Sequence, residues 1–169
     1  NKDLKGDDLA KKLEEQKWDP SVKSLVNFPS VLGQMSEKLD WTQKLGDAFL
    51  GQQAEVMEGV QRLRKRANEA GQLQTTAEQK VIVEKEVIVI QPAKPEVIYV
   101  PTYNPTVVYG AWPYPAYPPT AYYPPSYAYP AATGFVAGMA VGAAWGYAWG
   151  NCNWNNNKCN IDINKNINI

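Results

Sequence analysis

The sequence predicts an α+β fold with an N-terminal helical block, short β-strands, a proline- and tyrosine-rich extended tract and a C-terminal β-hairpin. Two changes in composition support this prediction. Apolar residues at helical spacing give way to β-branched runs near residue 76, and these give way to a tract dense in proline and tyrosine at residue 112. We therefore expect four regions: a helical domain (1–75), a short-strand segment (76–111), an extended linker (112–130) and a hairpin region (131–169).

The helical block is defined by caps and by apolar residues at three- and four-residue spacing. Asp19 followed by Pro20 predicts a short helix whose inward residues are Val22, Leu25 and Val26. Asp40 is predicted to cap the longest helix, which runs to about Ala70 with Gly71 as its C-cap. The apolar face of this helix is predicted to be core, and it consists of Trp41, Leu45, Phe49, Val56, Val60, Leu63 and Ala67.

The short-strand segment contains three β-branched runs. The run at 81–90, VIVEKEVIVI, is either one strand with a charged middle or two strands around a turn. Residues 96–100, EVIYV, and 106–109, TVVY, are predicted as further strands. Prolines at 92, 95, 101 and 105 keep these strands short and place them at sheet edges.

The tract at 112–130, WPYPAYPPTAYYPPSYAYP, has polyproline II as its default conformation. One interpretation is a stiff linker. The other is an adhesive strip, because tyrosine rings with polar tips are common at protein interfaces. The two interpretations are compatible and stay open here.

The segment at 131–150 carries no charge and has glycine at every fourth position from Gly134. A glycine-zipper helix in a membrane is one explanation, but no basic anchor flanks it closely. A strand is the explanation we favour, because small residues occupy one parity and most large apolar residues the other.

The tail at 160–169, NIDINKNINI, alternates isoleucine with polar residues and is the clearest strand pattern in the chain. Cys152 and Cys159 are seven positions apart, and we favour a disulfide between them over two free thiols. Antiparallel pairing across 154–157 would then place Gly150 opposite Ile161. The residues predicted to form an assembly surface are Gly134, Gly138, Gly142, Trp145, Gly146, Tyr147, Trp149, Ile161, Ile163, Ile167 and Ile169.

Composition argues against several classes of function. Seventeen basic and seventeen acidic residues balance, so no long-range field attracts nucleic acid. The chain has no histidine, the usual acid/base group near neutral pH and the commonest metal ligand. No nucleophile has a candidate base nearby, and no phosphate-binding glycine loop follows a strand. We therefore expect no enzyme activity, no cofactor and no metal.

Three motifs, WDPSVKSL, LDWTQKLGDAF and IYVPTYNPTVVYG, carry a resemblance to a known family. The chain resembles the bacterial domain-of-unknown-function family 3300, closely over about residues 4–115, and its glycine-rich and asparagine-alternating tail is also similar to family tails. The resemblance implies export to the envelope or exterior of a Gram-negative bacterium. It also implies a signal peptide and further helices before Asn1, and it transfers no catalytic residue.

The sequence thus favours a secreted structural protein that self-assembles into an extracellular polymer or filament by β-strand packing between subunits. Its expected partner is another copy of itself. The alternative is an envelope-anchored binding module in which 131–150 is a membrane helix, and only this alternative involves a membrane.

Overall fold

A computed structural model describes residues 12–13, 15–26, 28–94, 97–119, 134–139 and 152–159. It confirms the mixed α+β architecture, with helices first and short antiparallel strands after them. The helices are α1 (Pro20–Leu25), α2 (Pro29–Glu37), α3 (Leu39–Gly51), α4 (Gln53–Glu69) and α5 (Pro105–Val108). The strands are β1 (Gln79–Glu84), β2 (Val87–Pro92), β3 (Val97–Thr102), β4 (Gly134–Met139), β5 (Cys152–Asn153) and β6 (Lys158–Cys159).

The long predicted helix is interrupted. Helix α3 ends at Gly51 and α4 begins at Gln53, with Gln52 between them at φ −146° and ψ 55°. Glycine favours such a break because it weakens a helix and costs conformational entropy to order. Asp40 lies in the first turn of α3, whose N-cap is Lys38, so the predicted capping role of Asp40 is wrong.

The end of α4 follows the prediction. Gly71 adopts φ 68°, the left-handed conformation that glycine adopts at low cost, directly after the C-cap residue Ala70. Two backbone N–H groups beyond it, those of Gln72 and Leu73, donate to the Ala67 carbonyl at 2.8 and 3.2 Å. These bonds satisfy a helix-end acceptor and turn the chain toward β1.

Residues 81–90 form two strands around a turn, which confirms the second of the two interpretations. Strands β1 and β2 pair antiparallel, with Glu84 opposite Val87 across Lys85 and Glu86. Lys85 adopts φ 55°, a conformation that a tight hairpin turn requires.

The predicted strand at 96–100 is confirmed as β3, but the predicted strand at 106–109 is wrong. Residues Pro105–Val108 are the short helix α5. The Asn104 side-chain oxygen accepts from the Thr106 backbone N–H at 3.0 Å, and Pro105 takes the first helical position. Asparagine as N-cap and proline at N1 therefore outweigh the β-branched residues that follow.

The first residues of the proline- and tyrosine-rich tract form a turn instead of the expected polyproline II. The Tyr117 N–H donates to the Tyr114 carbonyl at 2.9 Å, and the Trp112 indole N–H donates to the Tyr117 carbonyl at 2.8 Å. Residues 120–130 lie outside the described residues.

The core of the described part is small. Its buried apolar side chains are Leu13, Phe28, Met57, Ala67, Ile88 and Val108. Trp41 and Leu45, predicted as core, are 47% and 45% exposed, and the predicted inward residue Val22 is also exposed. These predictions are wrong because helical spacing identifies an apolar face without showing whether another element covers it.

Candidate assembly surface

Among the described residues, the strands leave hydrogen-bonding edges unpaired. Each sheet in the described part has two strands, β1–β2, β3–β4 or β5–β6, so each of these strands pairs on one edge only. Unpaired N–H and C=O groups along a strand edge are a template for pairing with another chain.

The sheet β3–β4 joins two distant parts of the chain. Its register runs from Val97 opposite Met139 to Thr102 opposite Gly134. The connection between the strands covers residues 103–133, far longer than a hairpin turn. Strand β4 is therefore tethered to β3 by a long segment, and close sequence neighbours do not determine the pairing.

An apolar groove lies beside β3, between α2, α3 and α4. Its volume is about 850 Å³, and among its described lining residues none is charged. The helices contribute Val31, Gln34, Met35, Trp41, Thr42, Leu45, Gly46, Phe49, Val56 and Val60, and the segment from β3 to α5 contributes Val100, Pro101, Tyr103 and Pro105.

The break between α3 and α4 shapes this groove. Phe49 of α3 and Val56 of α4 line it from either side of Gln52. The Thr42 hydroxyl donates to the Met35 carbonyl at 2.8 Å, which ties α3 to α2. The half-exposed Trp41 and Leu45 lie along its wall, so the groove presents apolar surface to solvent.

A second side of α4 is attached to the β1–β2 hairpin by polar contacts. The Gln61 side-chain amide accepts from the Ile88 N–H at 2.9 Å and donates to the Ile88 carbonyl at 3.2 Å. The Arg64 guanidinium donates to the same carbonyl at 2.8 Å. Gln61 therefore satisfies both backbone groups of Ile88.

Arg64 also contacts the β5–β6 hairpin. Its guanidinium carbon lies 4.1 Å from the centre of the Trp154 ring, a cation–π contact. Burial lowers the pKa of the Arg64 guanidinium from its usual value, while Tyr109 opposes this shift. Asn157 of the same hairpin donates to Glu58 at 3.4 Å. These contacts fix the hairpin on α4.

Two tyrosines connect the groove to α5. The Tyr103 and Tyr109 hydroxyls share a hydrogen bond, and their rings meet edge to face with centroids 5.6 Å apart. Burial, followed by the Tyr103 neighbour, raises the pKa of Tyr109 far above its usual value. The Tyr109 phenol therefore stays neutral and acts as a structural hydrogen-bonding group.

The structure tests only part of the predicted assembly surface. Gly134 and Gly138 lie in β4, so the strand interpretation is confirmed over Gly134–Met139 and a helix through that part is excluded. Cys152 lies opposite Cys159 across the β5–β6 register. The other predicted residues lie outside the described residues, namely Gly142, Trp145, Gly146, Tyr147, Trp149, Ile161, Ile163, Ile167 and Ile169.

Two features of the surface were not predicted. The sequence pattern predicted pairing of the strand at 131–150 with the tail at 160–169 and did not indicate β3 as the partner of β4, because a pairing across residues 103–133 leaves no local pattern. The groove was missed because Trp41 and Leu45 have the spacing of a core stripe. None of the helices in the described part of the chain combines the length and apolar character that crossing a membrane requires.

The sequence matches, over residues 1–169, the model of the family described as "Protein of unknown function (DUF3300)". The chain belongs to this family. A family relative, "Uncharacterized protein YacH" of Escherichia coli (strain K12), is 40% identical in an alignment 166 positions long that covers 79% of this chain and 27% of the relative. The chain thus spans about a quarter of the length of that curated relative. No solved structure matches the chain.

Proposed function

We propose that this member of the DUF3300 family is a secreted structural protein without catalytic activity, which self-assembles by exchanging β-strands between copies. The observation that carries this proposal is the β3–β4 sheet, whose strands are separated by residues 103–133. A strand on so long a tether can make the same pairing with a neighbouring copy. Exchange of an identical element is a low-cost route to association, because the contacts between copies are the same ones that β3 and β4 make within one chain.

The geometry of exchange favours open-ended assembly. If β4 of one copy pairs with β3 of the next, each copy both donates and accepts a strand, and the contact repeats from head to tail. Such a contact builds a filament unless its rotation closes a ring. Within the described part of the chain, β3 and β4 each have one unpaired edge, which allows further strands to join laterally.

The apolar groove supports the same proposal. Val100 and Pro101 of β3 form part of its wall, so a second copy that pairs with β3 also reaches the groove. Covering Trp41 and Leu45 removes exposed apolar surface from water, which stabilises association by about 25 cal/mol per Å² buried. The proposed occupant is a second copy of this chain.

A disulfide between Cys152 and Cys159 forms part of the proposal. The two residues lie opposite each other in the hairpin register, and the described residues include no free cysteine. Disulfides persist in oxidising compartments, which supports the proposed export to the envelope or exterior of the cell. The bond would hold the short hairpin that carries Trp154 against Arg64.

The exchange is tested by cross-linking between chains. Val100→Cys and Val136→Cys are placed in separate, differently tagged full chains that are co-expressed, because positions 100 and 136 are register partners. We expect a disulfide between the cysteine at position 100 of one tagged chain and the cysteine at position 136 of the other, identified by mass spectrometry of the linked peptides. The matched control pair, Val97→Cys with Gly134→Cys, is out of register and should not cross-link.

Either of two results would contradict strand exchange. One is a cross-link that forms only when both substitutions occupy the same chain. The other is a monomer in sedimentation velocity at every concentration, with parent and variants alike.

The alternative, an envelope-anchored binding module, is supported by one observation, which is that the groove is open to an apolar partner. Its membrane helix would have to lie outside Gly134–Met139, which is a strand. Vesicle flotation separates the two proposals. A self-assembling protein stays with the aqueous fraction as polymer, whereas an anchored module floats with lipid.

A further inference from the structure

A second cleft lies on α4, away from the apolar groove, and combines cations with an aromatic wall. We call it the cationic cleft; its volume is about 470 Å³, and the described residues that line it do not line the groove. Its charged residues are Arg62, Lys65, Arg66 and Glu69, its wall is Trp112, Pro113 and Tyr114, and Gly59 and Leu63 complete it.

The charge of the cleft favours an anionic ligand. Three cations face one carboxylate, Glu69. Arg62 also lies 4.0 Å from Glu58, but both side chains are more than half exposed, so this ion pair is weak. The Arg66 Nη1 is buried and has no hydrogen-bond partner among the described residues. A buried guanidinium N–H without an acceptor is costly, so movement of the Arg66 side chain toward an anion in the cleft would be favourable.

The aromatic wall favours a ligand with a ring. The Trp112 ring is fixed by its indole hydrogen bond to the Tyr117 carbonyl and by the Tyr114 ring, which meets it at 76° with centroids 6.1 Å apart. Tyr114 is 56% exposed. The electron-rich face of a fixed aromatic ring attracts the polarised C–H groups of a sugar ring.

We propose that the cationic cleft binds an acidic saccharide, with its carboxylate at Lys65 and Arg66 and a sugar ring against the aromatic wall. A nucleic acid fits less well, because three local cations in a chain of zero net charge lack the extended field that a run of phosphates requires. The inference does not depend on strand exchange, since neither β3 nor β4 contributes to the cleft.

The proposal is tested by calorimetric titration of the full chain with tetragalacturonate. We expect saturable binding that weakens as salt is added, because screening reduces the charge contribution. The neutral cellotetraose should bind at least tenfold more weakly. Absence of binding, equal affinity for cellotetraose, or tighter binding of oligodeoxythymidylate would overturn the proposal.

Matched variants locate the site. Arg66→Gln is expected to lower affinity by about tenfold, and Lys65→Gln and Tyr114→Ala by about fivefold each. The controls are Lys80→Gln, an exposed cation on β1, and Tyr117→Ala, a 79% exposed ring in the same tract that does not line the cleft.

Circular dichroism melting identifies any variant that fails to fold. If Arg66→Gln is unfolded, the two exposed substitutions at Lys65 and Tyr114 decide the outcome. Equal losses in the variants and their controls would place binding elsewhere and overturn the proposal.

Discussion

Helix α4 has two sides that differ in how they contact the rest of the chain. Val56 and Val60 line a groove that remains open, whereas Gln61 and Arg64 make directed hydrogen bonds to the backbone of Ile88. The first side presents apolar side chains that make no directed bonds in the groove. The second side makes hydrogen bonds that fix α4 at one residue of β2, Ile88. The difference indicates that polar contacts position the helix on its own hairpin, while the apolar side lines an open groove.

The largest effect is expected at Gln61. The substitution Gln61→Ala leaves the N–H of the buried Ile88 without its side-chain acceptor and removes one of the two donors to the Ile88 carbonyl, since Arg64 still donates to that carbonyl. It should lower the free energy of unfolding by about 2 kcal/mol. Urea denaturation measures this loss. Gln72→Ala, which removes one exposed bond at 3.5 Å, is the control and should change stability little. Equal losses in both variants would show that the Ile88 contacts have no special role.

The next effect is expected at Arg64. Arg64→Met keeps much of the side-chain bulk but removes the bond to the Ile88 carbonyl and the cation over Trp154, at an expected cost of about 1.5 kcal/mol. Hydrogen exchange should also quicken in the β5–β6 hairpin. Arg62→Met, in a weak exposed ion pair, is the control. Unchanged exchange in the hairpin of Arg64→Met would contradict its docking through this contact.

A smaller effect is expected at the end of α4. Gly71→Ala forces a side chain into φ 68° and should destabilise the protein by about 1 kcal/mol. Gly46→Ala, inside α3 with no atom within 4 Å of the added methyl group, should instead stabilise it by about 0.5 kcal/mol. Thermal melting of both variants checks these opposite signs, and shifts of the same sign would contradict the assigned conformations.

The smallest effect on stability is expected in the groove. Leu45→Ser changes a 45% exposed residue and should alter the free energy of unfolding by less than about 0.5 kcal/mol. Self-association, measured by sedimentation velocity, should nevertheless weaken. Val107→Ser, exposed but outside the groove lining, is the control and should associate like the parent. A large stability loss in Leu45→Ser would place this residue in the core.

The sequence indicated those features that depend on neighbouring residues. Proline at position 20 and glycine at position 71 correctly predict a helix start and a helix end, and the charged residues 84–86 left a hairpin turn as one of two interpretations. The strand predicted at 106–109 from β-branched residues is wrong, because capping by Asn104 starts a helix at Pro105–Val108. Long-range features such as the β3–β4 pairing and the open groove depend on which elements meet, and no single stretch of sequence encodes that information.

The separation of Thr102 from Gly134 has a kinetic consequence. The β1–β2 hairpin closes across two residues, and such hairpins form in about 1–10 μs. Sheet β3–β4 has to close a much longer loop, and each doubling of loop length adds about 0.6 kcal/mol of entropic cost. Strand β3 is therefore unpaired for longer while each chain folds. If copies exchange β4 as proposed above, pairing between chains competes in this interval, and the amount of polymer should rise with protein concentration during folding.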